Sequence, residues 1–168
     1  MIRLYLGIDP GLTGAVAAVD AQGHVHLLEE LPTILRGTGR VKRELDPAGL
    51  AHLLRPITDD IAVALVETVG SRPGQGVASV FSLGQSSGVI AGVLATLGIP
   101  VITTTPAKWK KQMGLIGTDK EASRALATRL FPGIDLHRKR DHNLAESLLL
   151  ATVAGQAVNA LAADPGSP

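Results

Sequence analysis

Two apolar runs in this chain, Leu4–Ile8 and Ile61–Val66, are each followed at once by a carboxylate, Asp9 and Glu67. A continuous apolar run of this length, with no polar alternation, suits a strand covered on both faces, as in a sheet sandwiched between helices. A charged carboxylate at the end of such a strand costs several kcal/mol unless something partners it. Asp9 is therefore either a turn residue capped by the backbone ahead of Pro10-Gly11, or a ligand for a metal or substrate. Glu67 either begins a loop or plays the same part. The recurrence of one pattern in two strands favours the chemical reading.

The remaining segments place these strands in an α/β order. Residues 2–9, 14–20 and 24–31 read as an antiparallel meander, with a turn at Ala21-Gln22-Gly23. Residues 32–45 are rich in Gly and Arg and read as a loop. Asp46-Pro47 has the form of an N-cap followed by Pro at the first helical position, with Leu50, Leu53 and Leu54 on one face. After the strand ending in Glu67 come a Gly-rich loop, a helix over 77–97, and a strand over 99–103. Thr105-Pro106 then caps a short helix carrying Trp109. Thr118-Asp119-Lys120-Glu121 reads as a capping box opening a helix to Leu130, and a last helix is expected over 141–162. The expected fold is a five-stranded mixed sheet, an antiparallel meander plus parallel strands, flanked by helices. Residues 1–163 are expected to form one domain, with 164–168 a flexible tail.

Composition narrows the chemistry. The chain has no cysteine, which removes disulfides and thiolate metal sites and fits a reducing cytoplasm. No cleavable signal pattern and no run of about 18 apolar residues is expected, so no membrane association is expected either. Net charge is only +1, but the basic residues are clustered. Arg36, Arg40, Lys42 and Arg43 form one group, Lys108, Lys110 and Lys111 a second, and Arg138, Lys139 and Arg140 a third. Each is either a solvated surface or a track for a nucleic-acid backbone. Trp109, among the lysines, either stacks on DNA or belongs to the core. Gly84, Gly88 and Gly92 leave one bare stripe on the second helix, for close packing on the sheet or for a helix–helix seam between two copies.

In sheets with crossover connections, sites form at the carboxyl ends of the parallel strands, where Asp9 and Glu67 would stand together. Oxygen ligands without cysteine suit a hard cation, Mg²⁺ or Mn²⁺. A third acid, Glu146, lies just inside an otherwise apolar helix, with His142 and Asn143 on its face, four and three positions earlier. Asp141 does not share that face but as an N-cap can turn its carboxylate inward.

GIDPG after the first strand, the strand ending in Glu67, Gly84-Gln85-x-x-Gly88, and DHNLAESLLLA in the last helix resemble the RuvC-like Holliday junction resolvases of the ribonuclease H-like superfamily. Pro106 to Lys111, followed by Thr118-Asp119-Lys120-Glu121-Ala122, is similar to the form found in phage and prophage members. The resemblance runs from Leu4 to Ala151. It implies a homodimeric endonuclease of bacterial or phage origin that cuts four-way DNA junctions at symmetric positions. It further implies a four-acid site with two divalent metals, Mg²⁺ or Mn²⁺, and no small-molecule cofactor. Carried over by position, Asp9 bridges the metals, Glu67 binds one and Glu146 the other, and Asp141 or His142 completes the set. His142 can instead act as general acid or as a cap. Where relatives carry a base-stacking aromatic after the second acid, this chain has Thr68 to Pro73, in which Arg72 offers its guanidinium plane. Three alternatives remain. A nucleotide-binding protein of the sugar kinase, Hsp70 and actin type needs a second lobe. A YqgF-like RNA-processing nuclease would share the site chemistry. A non-cleaving branched-DNA binder would carry a decayed site.

Overall fold

In the computed structural model, residues 2–36, 43–68, 70, 74 and 76–163 are described, Lys120 by its backbone alone. Arg40, Lys42, Arg72 and the tail 164–168 lie outside the described residues. The chain opens with β1 (Leu4–Asp9), β2 (Ala15–Asp20) and β3 (Val25–Glu30), the expected meander. Asp20 closes the second turn, its Oδ1 accepting from the backbone N–H of Gln22 and of His24, each at 2.9 Å.

The segment expected to be a loop contains a small two-stranded ribbon, β4 (Thr33–Leu35) and β5 (Arg43–Leu45), paired antiparallel. Three residues per strand are too few to produce a periodic pattern, so only the pairing reveals them. Next is α1 (Pro47–Leu54), capped by Asp46 with Pro at its start, and Leu50 and Leu54 are buried as its periodicity requires. A 3₁₀ turn leads into β6 (Ile61–Glu67), then α2 (Val77–Thr96), β7 (Val101–Thr104) and α3 (Pro106–Gln112).

Helix α4 (Lys120–Leu130) is capped one residue later than the capping-box reading placed it. The Thr118 hydroxyl donates back to the Leu115 carbonyl at 2.8 Å, which leaves Asp119 to accept from Ala122 N at 3.0 Å. A 3₁₀ turn, Lys139–Asp141, precedes α5 (His142–Ala163), so Asp141 stands just outside the helix it was expected to begin.

The main sheet has the order β3-β2-β1-β6-β7. β1 pairs antiparallel with β2 and parallel with β6, and β6 pairs parallel with β7. The five-stranded mixed sheet is as expected. Alternate residues of the strands feed two cores. Tyr5, Ala17, Val63 and Leu65 face α3, α4 and α5, whereas Leu4, Leu6, Ile8, Val16 and Ala64 face α1 and α2. A Cβ at Gly7 would lie 2.2 Å from Ala151 N and Ser147 O, so α5 rests directly on the backbone of β1.

Two helical stretches, Val77–Thr96 and Lys139–Ala163, are long and apolar enough to cross a membrane by length and composition. Neither is an unbroken apolar run: Gly, Ser and Thr interrupt the first, and the second includes Lys139, Arg140, Asp141 and Glu146. The second is the central core helix, while α2 is mostly exposed.

Candidate active site

The parallel register pairs Ile8 with Val66, so the next residues, Asp9 and Glu67, end their strands side by side. Packing of α5 on Gly7 brings Glu146, one residue before Ser147, to the same end of the sheet. Three acids from three elements thus act on one another. Burial pushes the Asp9 carboxyl up to about 8, the charges of Glu67 and Glu146 add to that rise, and the Lys110 ammonium opposes it.

The cluster is held from α3 and α4. The indole Nε1 of Trp109 donates to Glu67 Oε2 at 2.5 Å. The ammonium of Lys110 is 2.8 Å from Glu146 Oε1, and the same oxygen accepts from Ser123 Oγ of α4 at 3.2 Å. His142 joins them, with Nε2 at 3.5 Å from Glu146 Oε1. Its Nδ1 is enclosed without a hydrogen-bond partner among the described residues.

Asp141 does not join this cluster. Arg138 engages both of its oxygens, through the backbone N–H at 2.9 Å and the guanidinium at 2.8–3.2 Å. These hydrogen bonds hold the carboxyl below the usual range, and burial opposes them. Asn143 Nδ2 donates to the Thr13 carbonyl, tying the start of α5 to the β1–β2 turn.

Among the described residues, no three His, Asp or Glu side chains stand close enough to hold a metal ion as placed. The donor chemistry nevertheless fits a divalent cation. Three carboxylates converge, burial and mutual repulsion raise one of them, and an ammonium sits among them as a stand-in positive charge. Asp9, Glu67 and Glu146, with His142, are the groups available to such an ion once Lys110 leaves Glu146.

No protein-family model matches the sequence. The chain is 38% identical over 113 residues to the chloroplastic Holliday junction resolvase MOC1 of Chlamydomonas reinhardtii; the match covers 64% of this chain but only 13% of that protein. It is 31% identical over 146 residues to the crossover junction endodeoxyribonuclease RuvC of Zymomonas mobilis subsp. mobilis, covering 79% of this chain and 80% of that one. This chain belongs to the RuvC family. Its fold agrees. Thermus thermophilus RuvC in complex with a Holliday junction substrate superposes with a TM-score of 0.68 at 19% identity over 94% of each chain. A second T. thermophilus RuvC structure gives 0.57 at 18% identity, over 94% of this chain and 96% of that one.

Within this RuvC-family site, two residues escaped the sequence reading. Ser123 carries no motif, and its only signal is a small polar residue on the inward stripe it shares with Leu126 and Ala127. Lys110 was grouped with Lys108 and Lys111 as backbone-tracking charge, but it alone turns into the acids, while its two neighbours are exposed. Trp109 proves to be core, fully buried, and is therefore no platform for a DNA base. Arg43 donates to Thr33 Oγ1 at 2.9 Å, and Arg36 pairs with Glu44, which also accepts from Gln85 of α2. Arg43, Arg138, Lys139 and Arg140 are all exposed.

Proposed function

We propose that this chain is a structure-selective endodeoxyribonuclease that resolves four-way DNA junctions by paired, symmetric, metal-dependent hydrolysis. The observation that carries the reading is the convergence of Asp9, Glu67 and Glu146 from β1, β6 and α5, in a chain of the RuvC family. Asp9, Glu67 and Glu146 would hold the two Mg²⁺ or Mn²⁺ ions. His142 is the better fourth group, because it shares Glu146's face while Asp141 is engaged by Arg138. The ions, when bound, supply an activated water and neutralise charge on the phosphate.

The chain's own residues do the rest. Asp9, whose carboxyl burial and the neighbouring acids push up, is the group of the site that a cation would favour in its charged form. Lys110 moves from Glu146 to the phosphate, whose negative charge replaces that of the acid. His142, with an enclosed Nδ1, has only Nε2 to offer the site, and in the metal-free protein that nitrogen faces Glu146. Exposed Lys108, Lys111, Lys139, Arg140 and Arg43 follow the DNA backbone, with Arg40 and Lys42 assigned to it, and Arg72 to stacking on a base, from sequence.

A junction with two-fold symmetry needs two matched sites, hence a homodimer. The uncharged face of α2 supports this. Val77 is 86% and Phe81 73% exposed, and a Cβ at Gly84, Gly88 or Gly92 would meet nothing within 4 Å. The stripe therefore does not serve packing on the sheet, and a second copy is the fitting cover.

The test is cleavage of end-labelled four-way junction, duplex and RNA–DNA hybrid with Mg²⁺ or Mn²⁺, beside Asp9→Asn. Paired nicks at symmetric positions, confined to the junction and absent from the variant, are expected. Tight binding without nicks would make the protein a branched-DNA binder, and cutting of RNA substrates alone would make it an RNA-processing nuclease.

A further inference from the structure

Trp109 is the chain's sole tryptophan and is completely enclosed on the α5 side of the sheet, yet its one polar atom serves neither backbone nor solvent. The indole N–H donates to Glu67 Oε2 at 2.5 Å. We propose that Trp109 is a positioning residue for the active-site acid Glu67, fixing the carboxylate that the cation requires. The inference rests on the reading of Glu67 as a metal ligand and concerns what holds that ligand.

Three observations support it. The donor's place is set by the core, because the ring packs in the cluster that contains Leu115, Leu148 and Leu149 and has no freedom to follow a wandering carboxylate. The helix that carries it is anchored beside Glu67 as well. Thr68 N and Oγ1 both donate to the Thr104 carbonyl, at 2.7 and 3.1 Å, immediately before the α3 cap Thr105. Side chain and backbone around Glu67 are thus referred to one helix start. Finally, the next residue, Lys110, lies 5.2 Å above the Trp109 ring and pairs with Glu146. Consecutive residues of α3 therefore reach the acid of β6 and, in the metal-free protein, the acid of α5, so this helix is placed at the site by both.

A buried ring wanted only for its volume needs no N–H aimed at a carboxylate. A charge-assisted bond to a ligand carboxylate is the arrangement by which outer residues orient metal ligands, and its loss typically lowers metal affinity or activity about 10–100-fold.

The test is calorimetric titration of the chelator-treated protein with Mn²⁺, for wild type and Trp109→Phe, with melting curves beside it. Wild-type tryptophan emission is followed in parallel, since a paramagnetic ion next to Glu67 quenches it saturably. The expected result is Mn²⁺ binding about 10–100-fold weaker in Trp109→Phe. The metal half-saturation for cleavage should rise more than the rate at saturating metal falls. Loss of volume is separated from loss of the donor by biosynthetic replacement of tryptophan with 3-benzothienylalanine. At this single position that analogue keeps the ring size and puts sulfur where the N–H was, and the same weakening is expected. Unchanged Mn²⁺ affinity in both proteins, with lowered melting in the first alone, would reduce Trp109 to a packing group. Failure of the wild type to bind Mn²⁺ at all would overturn the metal-site reading itself, and the positioning role with it.

Discussion

Helices α2 and α5 run to 20 and 22 residues, and the only Asp, Glu, Lys or Arg in either is Glu146. Helix α5 lies across β1 and β2, where Gly7 lets its backbone down onto the sheet, and ten of its residues are buried. Helix α2 crosses the other face and buries only Ser86, Ile90, Val93 and Leu94, leaving its glycines open. Hydropathy therefore tells that a helix needs covering, while the facing surface decides what covers it. In α5 the cover is the chain's own sheet, and the one acid admitted there belongs to the site. In α2 no described element covers the remaining face, and a second copy is the cover proposed above.

The same substitution made in both regions gives the largest contrast. Gly7→Ala places a Cβ 2.2 Å from α5 backbone atoms, which cannot give way as a flexible side chain would. Overpacking of this kind costs about 1–3 kcal/mol or more, and the shift of α5 withdraws Glu146 from Asp9. A large fall in the urea midpoint and loss of junction cleavage are expected. Within the α5 region itself, Glu146→Gln should abolish cleavage while Asp141→Asn leaves it measurable and lowers stability by about 1–2 kcal/mol, as removal of a capping contact does. Equal loss of cleavage in both would return Asp141 to the metal site.

On the α2 side, Ala91→Glu puts a charge on the exposed stripe. Sedimentation should then show monomers of unchanged fold, and junctions should be nicked on one strand instead of two. A monomeric wild type would remove the seam. A pH series separates the regions next. Unfolded Asp9 loses its proton near 3.8, whereas the folded carboxyl keeps it until about 8. Between those values the folded state binds more protons, so the stability of metal-free protein falls as pH rises from about 4 to 8. Asp141 acts in the opposite sense, but its contribution is lost only as pH falls below the ordinary carboxylate range, so it is constant across this window. Asp9→Asn should flatten the slope, measured as urea midpoints in chelator at pH 5 and pH 8, and no α2 substitution should change it. Smallest of all, Gly88→Ala meets nothing within 4 Å and should raise the stability of dilute protein by about 0.5–1 kcal/mol through helix propensity.

Much of the fold was legible because its signals are local. Apolar runs named β1 and β6, Asp46-Pro47 named the start of α1, and Thr105-Pro106 the start of α3. The β4–β5 ribbon was not legible, since each strand is shorter than any period. The α4 cap moved by one residue because Thr118 found the Leu115 carbonyl, a partner that exists only once the preceding turn has formed. Asp9, Glu67, Glu146 and His142 were all named from the sequence; the structure brings Glu67 and Glu146 within electrostatic reach of Asp9 and sets His142 beside Glu146. Asp141, one residue before His142, looked equivalent and is instead tied to Arg138.

By itself the sequence determined which strands are doubly covered and that each ends in an acid, because burial and charge are properties of residue type and order. It determined as well that α2 carries no charge and α5 a single one, Glu146. Only the tertiary structure decided that α5 descends on Gly7 to bring Glu146 to Asp9, that the Trp109 indole and the Lys110 ammonium each take one acid, and that the α2 glycines face outward. Each of these is a contact between segments distant in the chain, set by the height at which one backbone can rest on another, and no local pattern encodes that height.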